Sequence, residues 1–116
     1  MRFEIGNIIY TVNGVPYTND VAPFIDPIYD RTMIPLRAVS EALGAEVIWL
    51  NETRTVVIIT SARTHSIEIG VPLVGGMGTP VIRDNRTFVP LRYVAELLGA
   101  QTHWDSSVLA AYVFIE

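Results

Sequence analysis

Side chains able to carry out chemistry are sparse in this sequence. It contains no cysteine, which excludes disulfides, thiolate metal sites and cysteine nucleophiles. Its two histidines, His65 and His103, lie far apart in the chain. His103 and Asp105 would share one face of a strand, so a weak surface metal site is conceivable. Exposed histidines are common, however, and we interpret His103 as an ordinary outward-facing residue, because Ile48 occupies the corresponding place earlier in the chain.

Nucleophilic catalysis is not supported by the remaining candidates. Ser106 and Ser107 follow His103 closely, but they fall in a predicted strand turn without the G-x-S-x-G elbow that exposes a nucleophilic serine. We therefore predict that the chain is not an enzyme and uses no cofactor or metal.

Two arginine–glutamate pairs are the next candidates. Arg37 and Arg92 fall in the first turns of predicted helices, where the helix dipole disfavours cations. Glu41 and Glu96 lie four residues further on, so each pair can form along one helix face. Such surface pairs contribute only about 0.3–0.5 kcal/mol, which leaves room for further roles. The arginines could hold loop carbonyls, stack on a tryptophan, or bind an anion.

The elements that position these pairs come from a repeat. Arg31–Ala45 reads RTMIPLRAVSEALGA and Arg86–Ala100 reads RTFVPLRYVAELLGA, 55 positions later. We predict that Pro35 and Pro90 occupy the first helical position. Gly44 and Gly99 are predicted to end the helices in a left-handed backbone conformation. Each helix is too short to be stable alone, so it must pack on a sheet.

Strand patterns surround both helices. Asn13-Gly14 predicts a type I′ hairpin between two short strands. The predicted strands are Ile8–Val12, Val15–Thr18, Val21–Ile25, Ala45–Trp49, Thr55–Thr60, Thr64–Val71, Ala100–Trp104 and Val108–Ile115. Thr32–Ile34 leads into the first helix, and Val81–Ile82 with Thr87–Val89 leads into the second. We predict an α+β fold of two pseudo-symmetric repeats, each a small, mainly antiparallel sheet with one short helix packed on it. Residues 1–116 would form one domain, with repeats at about 1–60 and 61–116.

Aromatic and apolar strand residues suggest two surfaces. Trp49 and Trp104 could be sugar-stacking platforms, but their alternation with neighbouring strand residues predicts core positions instead. The opposite strand faces carry the candidate interaction surface: Ile48, Val57, Ile59, His103, Tyr112 and Phe114. Strands that are apolar on both faces are usually covered on both. We expect the repeats to cover most of this surface themselves, leaving a residual patch for docking or self-association.

Composition narrows the class of partner. The 116-residue chain has a net charge of −4 and no basic cluster, which argues against nucleic-acid binding. No apolar run reaches the ~20 residues needed to span a bilayer, so no membrane insertion is expected. The first ten residues are interrupted by Glu4, Gly6 and Asn7 and read as a strand, so any export signal would lie outside this sequence.

The pattern N-R-T-x-V-P-L-R followed by A-E-x-L-G-A and a tryptophan, present in both repeats with small departures in the first, resembles the copper amine oxidase N-terminal-like domain, or stalk domain. The tandem form occurs in bacterial surface and secreted proteins, which implies an extracellular or cell-surface location. The resemblance implies an accessory module attached to other domains. An oxidase centre would need three histidine ligands, and this chain has two histidines.

These observations predict a non-catalytic structural or interaction module, a stalk-like spacer of a bacterial cell-surface or secreted protein. Its partners would be other domains of the parent protein or cell-wall components, with homo-oligomerisation possible. The alternative is a module that binds cell-wall glycan or peptide through the Gly75–Gly78 loop and exposed Tyr112 or Phe114. An exposed aromatic platform would distinguish a glycan binder from a spacer.

Overall fold

The computed structural model of the protein describes residues 1–28 and 30–114. In chain order its elements are β1 (Arg2–Glu4), β2 (Ile9–Val12), β3 (Val15–Thr18), β4 (Phe24–Asp26), β5 (Arg31–Pro35), α1 (Leu36–Ala42), β6 (Glu46–Leu50), β7 (Thr55–Ile59), β8 (Thr64–Glu68), β9 (Val81–Arg83), β10 (Arg86–Pro90), α2 (Leu91–Leu97), β11 (Gln101–Asp105) and β12 (Ala110–Phe114). The predicted α+β class is confirmed. Ile115, predicted to end the last strand, lies outside the described residues.

The strands form three antiparallel sheets, and each sheet mixes strands of the two repeats. Their orders are β11-β12-β1-β2-β3, β4-β5-β10-β9 and β6-β7-β8. This differs from the expected arrangement of one separate sheet per repeat. The last strand of each repeat, β7 or β12, pairs on one side with the strand before it and on the other side with the first strand of the other repeat.

A pseudo-twofold axis passes through the four-stranded sheet. There β5 pairs with β10, and Ile34 lies opposite Val89, its own counterpart 55 positions later. The neighbouring pairs, Met33 with Pro90 and Pro35 with Phe88, obey the same symmetry. Ile34 and Val89 are both fully buried, so the centre of the core lies at this axis.

The first strand of each repeat pairs with the last strand of the other. Phe3 of β1 lies opposite Ala111 of β12, and Ile67 of β8 lies opposite Val56 of β7. Phe3 and Ile67 are therefore structural equivalents, although they lie 64 rather than 55 positions apart. The difference of nine reflects the β2–β3 hairpin, which is present only in the first repeat. In that hairpin Asn13 and Gly14 both have positive φ, as a type I′ turn requires.

Both helices end as predicted but begin one residue later. The backbone N–H of Ala45 donates to the Ser40 carbonyl at 2.8 Å and that of Gly44 donates to Glu41 at 3.0 Å. This is a Schellman motif with glycine in the left-handed conformation, and Gly99 repeats it. Pro35 and Pro90 are N-cap residues with extended backbones, so their placement inside the first turn was wrong. Each proline is the last paired residue of its strand, which holds its ψ in the extended range.

Candidate binding groove

The candidate interaction surface predicted from the sequence is divided between two sheets. Ile48 lies directly opposite Val57 on the outer face of β6 and β7, with Ile59 two residues along. Val57 and Ile59 are half-buried, but 38% of Ile48 is exposed. This face is therefore only partly covered within the chain.

The second part of that surface lies on the outer face of β11 and β12. His103 is the strand partner of Tyr112, and their ring centroids are 6.0 Å apart. The Tyr112 hydroxyl accepts a hydrogen bond from Arg2 Nε at 3.2 Å. Phe114 is 43% exposed. Tyr112 is half-buried and His103 is exposed, so the expectation that the chain covers most of this surface is met only in part.

The Gly75–Gly78 segment is part of a turn that hydrogen bonds restrain, rather than an open loop. Val74–Gly76 forms a tight 3₁₀ turn, and the N–H of Leu73 donates to the Gly78 carbonyl at 2.8 Å. Arg31 Nη2 donates to the Gly76 carbonyl at 3.0 Å. A Cβ on Gly78 would lie 3.2 Å from Pro90 Cγ, so glycine permits close packing there.

A large groove, which the sequence did not predict, opens elsewhere. It has a volume of about 890 Å³ and lies between the β2–β3 hairpin, α1, the inner face of β6–β7 and the start of β10. Its lining residues are Tyr10, Thr18, Asn19, Pro35, Leu36, Arg37, Ala38, Glu41, Val47, Trp49, Asn51, Arg54, Val56, Ile82, Asn85, Arg86 and Thr87. We call this the large groove.

The aromatic walls of the large groove are Tyr10 and Trp49, both half-buried against the core. Tyr10 stacks between Phe3 and Tyr17, with ring centroids 5.1 and 5.8 Å away, which fixes its orientation. Burial raises the pKa of the Tyr10 phenol, and neighbouring Tyr17 and Glu41 add to the rise. The phenol therefore stays protonated at neutral pH and can donate a hydrogen bond.

Cations outnumber anions in the large groove. Arg37, Arg54 and Arg86 line it, together with one carboxylate, Glu41. Arg86 is held by Asp20, which accepts hydrogen bonds from its Nε and Nη2 atoms. Among the described residues no salt bridge involves Arg37 or Arg54. The predicted Arg37–Glu41 pair is therefore not formed, so Arg37 is available to a ligand.

A smaller pocket of about 220 Å³ lies beside α2. Its lining residues are Asp30, Arg31, Thr32, Pro90, Leu91, Arg92, Thr102, His103, Trp104 and Ala111, and we call it the small pocket. Here the predicted helix pair is formed, with Arg92 Nε donating to Glu96 Oε1 at 3.0 Å. Trp104 is 38% exposed, so the prediction that it belongs to the core is wrong. The β2–β3 hairpin that borders Trp49 has no counterpart beside Trp104.

The candidate metal and nucleophile residues do not assemble into a centre. His65 on β8 and His103 on β11 lie in different sheets. Across residues 1–28 and 30–114, no cluster of three or more His, Asp or Glu side chains is placed to hold a metal ion. Asp105 instead accepts hydrogen bonds from the Ser107 hydroxyl and backbone N–H. The hydrogen bond from the hydroxyl lowers the pKa of Asp105 most, and the bond from the backbone N–H lowers it further. The available residues do not fit a copper centre.

Sequence reasoning missed Tyr10, Arg54 and Arg86 as groove residues. Tyr10 lies in the hairpin that only the first repeat has, and Arg54 corresponds to Leu109 in the second repeat, so the repeat pattern singled out neither residue. Arg86 did carry a signal: the dipeptide Arg-Thr precedes both helices, at residues 31–32 and 86–87. Neither helix capping nor core packing explains that recurrence.

Fold and site together define a duplicated α+β module with solvent-accessible grooves. The chain belongs to the family of the copper amine oxidase N-terminal domain, whose family model matches residues 3–75 and 76–113. The resemblance in the sequence is thereby confirmed. The N-terminal domain of these oxidases is a non-catalytic stalk domain and part of a larger protein. No curated protein and no solved structure matches the chain. No helix in the described part of the chain is long and apolar enough to cross a membrane.

Proposed function

We propose that this chain is a non-catalytic interaction module of a bacterial cell-surface or secreted protein, and that its large groove binds a glycan strand of the cell wall. The observation that carries the proposal is the groove itself, which presents Tyr10 and Trp49 beside Arg37 and Arg54, two arginines that form no salt bridge within the described residues. Aromatic faces stack on the apolar faces of sugar rings, and guanidinium groups bind polar and anionic substituents. A passive spacer requires no such combination.

Binding to purified cell-wall sacculi, measured by co-sedimentation, tests the groove. We expect Trp49→Ala and Arg54→Gln each to reduce retention by about tenfold or more, the equivalent of about 1.4 kcal/mol. Tyr112→Ala and Phe114→Ala are matched controls on another surface and should bind normally. Circular dichroism would verify that all four variants are folded. Equal retention of all variants, or loss only in the two controls, would contradict the placement of the site.

Location needs a separate experiment. An antibody against this chain should detect the parent protein in the cell-envelope or culture-medium fraction of the source cells. Detection in the cytosolic fraction alone would overturn the surface assignment, whatever the outcome of the binding experiment.

A further inference from the structure

The small pocket is built from the same positions as the large groove. Pro35, Arg37 and Trp49 line the large groove, and Pro90, Arg92 and Trp104, each 55 positions later, line the small pocket. The pseudo-twofold axis between β5 and β10 relates the two sites. The recurring motif therefore builds a site as well as a fold.

Each site is completed by the other repeat. Arg86 and Thr87 of the second repeat reach the large groove beside α1, whereas Arg31 and Thr32 of the first repeat reach the small pocket beside α2. This exchange follows from the pairing of β5 with β10 across the axis. It also gives the recurring Arg-Thr dipeptide a role that helix capping and core packing leave unexplained.

Resting on the proposed function, we propose that the module carries two equivalent sites, the large groove and the small pocket, and that each binds a carboxylate-bearing sugar unit of an acidic glycan. Charge is the first argument. Of the chain's eight arginines, five line the two sites, whereas two of its 12 acidic residues do so among the described residues. This local excess of cations occurs in a chain of net charge −4.

An internal ion pair shows that these arginines accept a carboxylate. The planar guanidinium binds carboxylates through two parallel hydrogen bonds. Asp20 binds Arg86 in this way at the edge of the large groove. At the small pocket the equivalent Arg31 meets the Gly76 carbonyl instead. No salt bridge involves Arg31 in the described part of the chain, so a ligand carboxylate can take the position that Asp20 holds in the first site.

The tryptophans favour a sugar acid over an acidic peptide. A uronic acid unit offers an apolar ring face and a carboxylate in one rigid group, which matches a tryptophan beside an arginine. An aspartate or glutamate side chain offers the carboxylate without a flat apolar face. We expect the large groove to bind more tightly, because it adds Tyr10 and Arg54, and because Glu96 already engages Arg92 in the small pocket.

Titration calorimetry with a short oligogalacturonate tests the proposal. Its methyl ester is a matched uncharged probe, and oligoglutamate is the peptide comparator. We expect two binding events for the unaltered chain, binding to the methyl ester weakened about tenfold or more, and weaker binding at raised salt. The paired surface variants Arg37→Gln and Arg92→Gln should each weaken one event and spare the other. Trp49→Ala and Trp104→Ala form a second pair with the same expectation.

Each contrary result has a distinct meaning. A single binding event that Arg92→Gln and Trp104→Ala leave unchanged would overturn the second site but not the groove. If the methyl ester bound as tightly as the acid, the inference that the sites recognise a carboxylate would be wrong. If oligoglutamate bound as tightly as oligogalacturonate, the inference that they recognise a sugar would be wrong. Absence of binding to oligogalacturonate, together with normal groove-dependent retention on sacculi, would overturn the acidic-glycan inference alone. Failure of both experiments would overturn the proposed function itself.

Discussion

At the scale of single residues, the two repeats act as controls for each other. Ser40 and Ala95 occupy equivalent helix positions, and both are fully buried. The Ser40 hydroxyl has no hydrogen-bond partner among the described residues, whereas Ala95 has no polar group to satisfy. A buried hydroxyl without a partner costs free energy because it loses its bonds to water on folding.

We therefore predict that Ser40→Ala raises the free energy of unfolding by about 1 kcal/mol, since it removes an unsatisfied group and alanine also favours the helix. The reciprocal change, Ala95→Ser, should lower the free energy of unfolding by about 1–3 kcal/mol. Urea denaturation followed by circular dichroism would measure both. A loss of stability in Ser40→Ala would show that the hydroxyl has a partner in solution.

At the scale of elements, the strands β1 and β8 join the two repeats, because each pairs with the last strand of the other repeat. Each helix has seven residues, which is too short to be stable without tertiary packing. β1 has three residues and β8 has five, and each extends the final hairpin of the other repeat. Phe3 and Ile67 project from these strands into one shared core cluster.

Phe3→Ala and Ile67→Ala should therefore have comparable consequences, although one residue lies near the start of the chain and the other at its middle. With 2% and 4% of their surfaces exposed, we predict losses of about 3–5 and 2–5 kcal/mol in unfolding free energy. Ile9→Ala, at an exposed strand position, is a control and should change stability by less than about 1 kcal/mol. If Phe3→Ala were as mild as the control, β1 would not be integral to the fold.

At the scale of the whole molecule, the same pseudo-twofold axis relates the two halves of the core and the two candidate sites. The same exchange of strands that closes the core also carries Arg31 and Arg86 to the site of the opposite repeat. We infer that neither repeat holds a complete groove or a complete sheet by itself. The chain should consequently unfold as one unit.

The two tryptophans, one in each repeat, allow that inference to be tested. Trp49→Phe leaves only Trp104, and Trp104→Phe leaves only Trp49. In each variant the urea transition seen by tryptophan fluorescence should coincide with the transition seen by circular dichroism, as two-state unfolding requires. Separate midpoints within one variant would show that the repeats unfold independently.

The sequence by itself determined the local features, because these depend on neighbouring residues. The period of Leu36 and Val39, the glycines that end both helices and the Asn13-Gly14 turn all follow from backbone and side-chain preferences over a few positions. The 55-residue repeat fixed the pseudo-symmetry and the family. The prolines were misplaced by one residue, because strand pairing rather than helix preference set their backbone.

Only the tertiary structure decided which strands of one repeat pair with strands of the other. This pairing sets where the large groove and the small pocket lie. Phe3 and Ile67 share no sequence motif, and their equivalence appears only when β1 and β8 pair with the opposite repeat. Exposure of Trp104 likewise depends on a hairpin that is distant in sequence. Arg31 and Arg86 belong to the repeated motif that indicates the fold. The pairing of β5 with β10 places Arg31 in the small pocket and Arg86 in the large groove, each beside the helix of the other repeat. Such contacts between distant residues leave no periodic pattern, because they are set by packing between elements rather than by the order of neighbours along the chain.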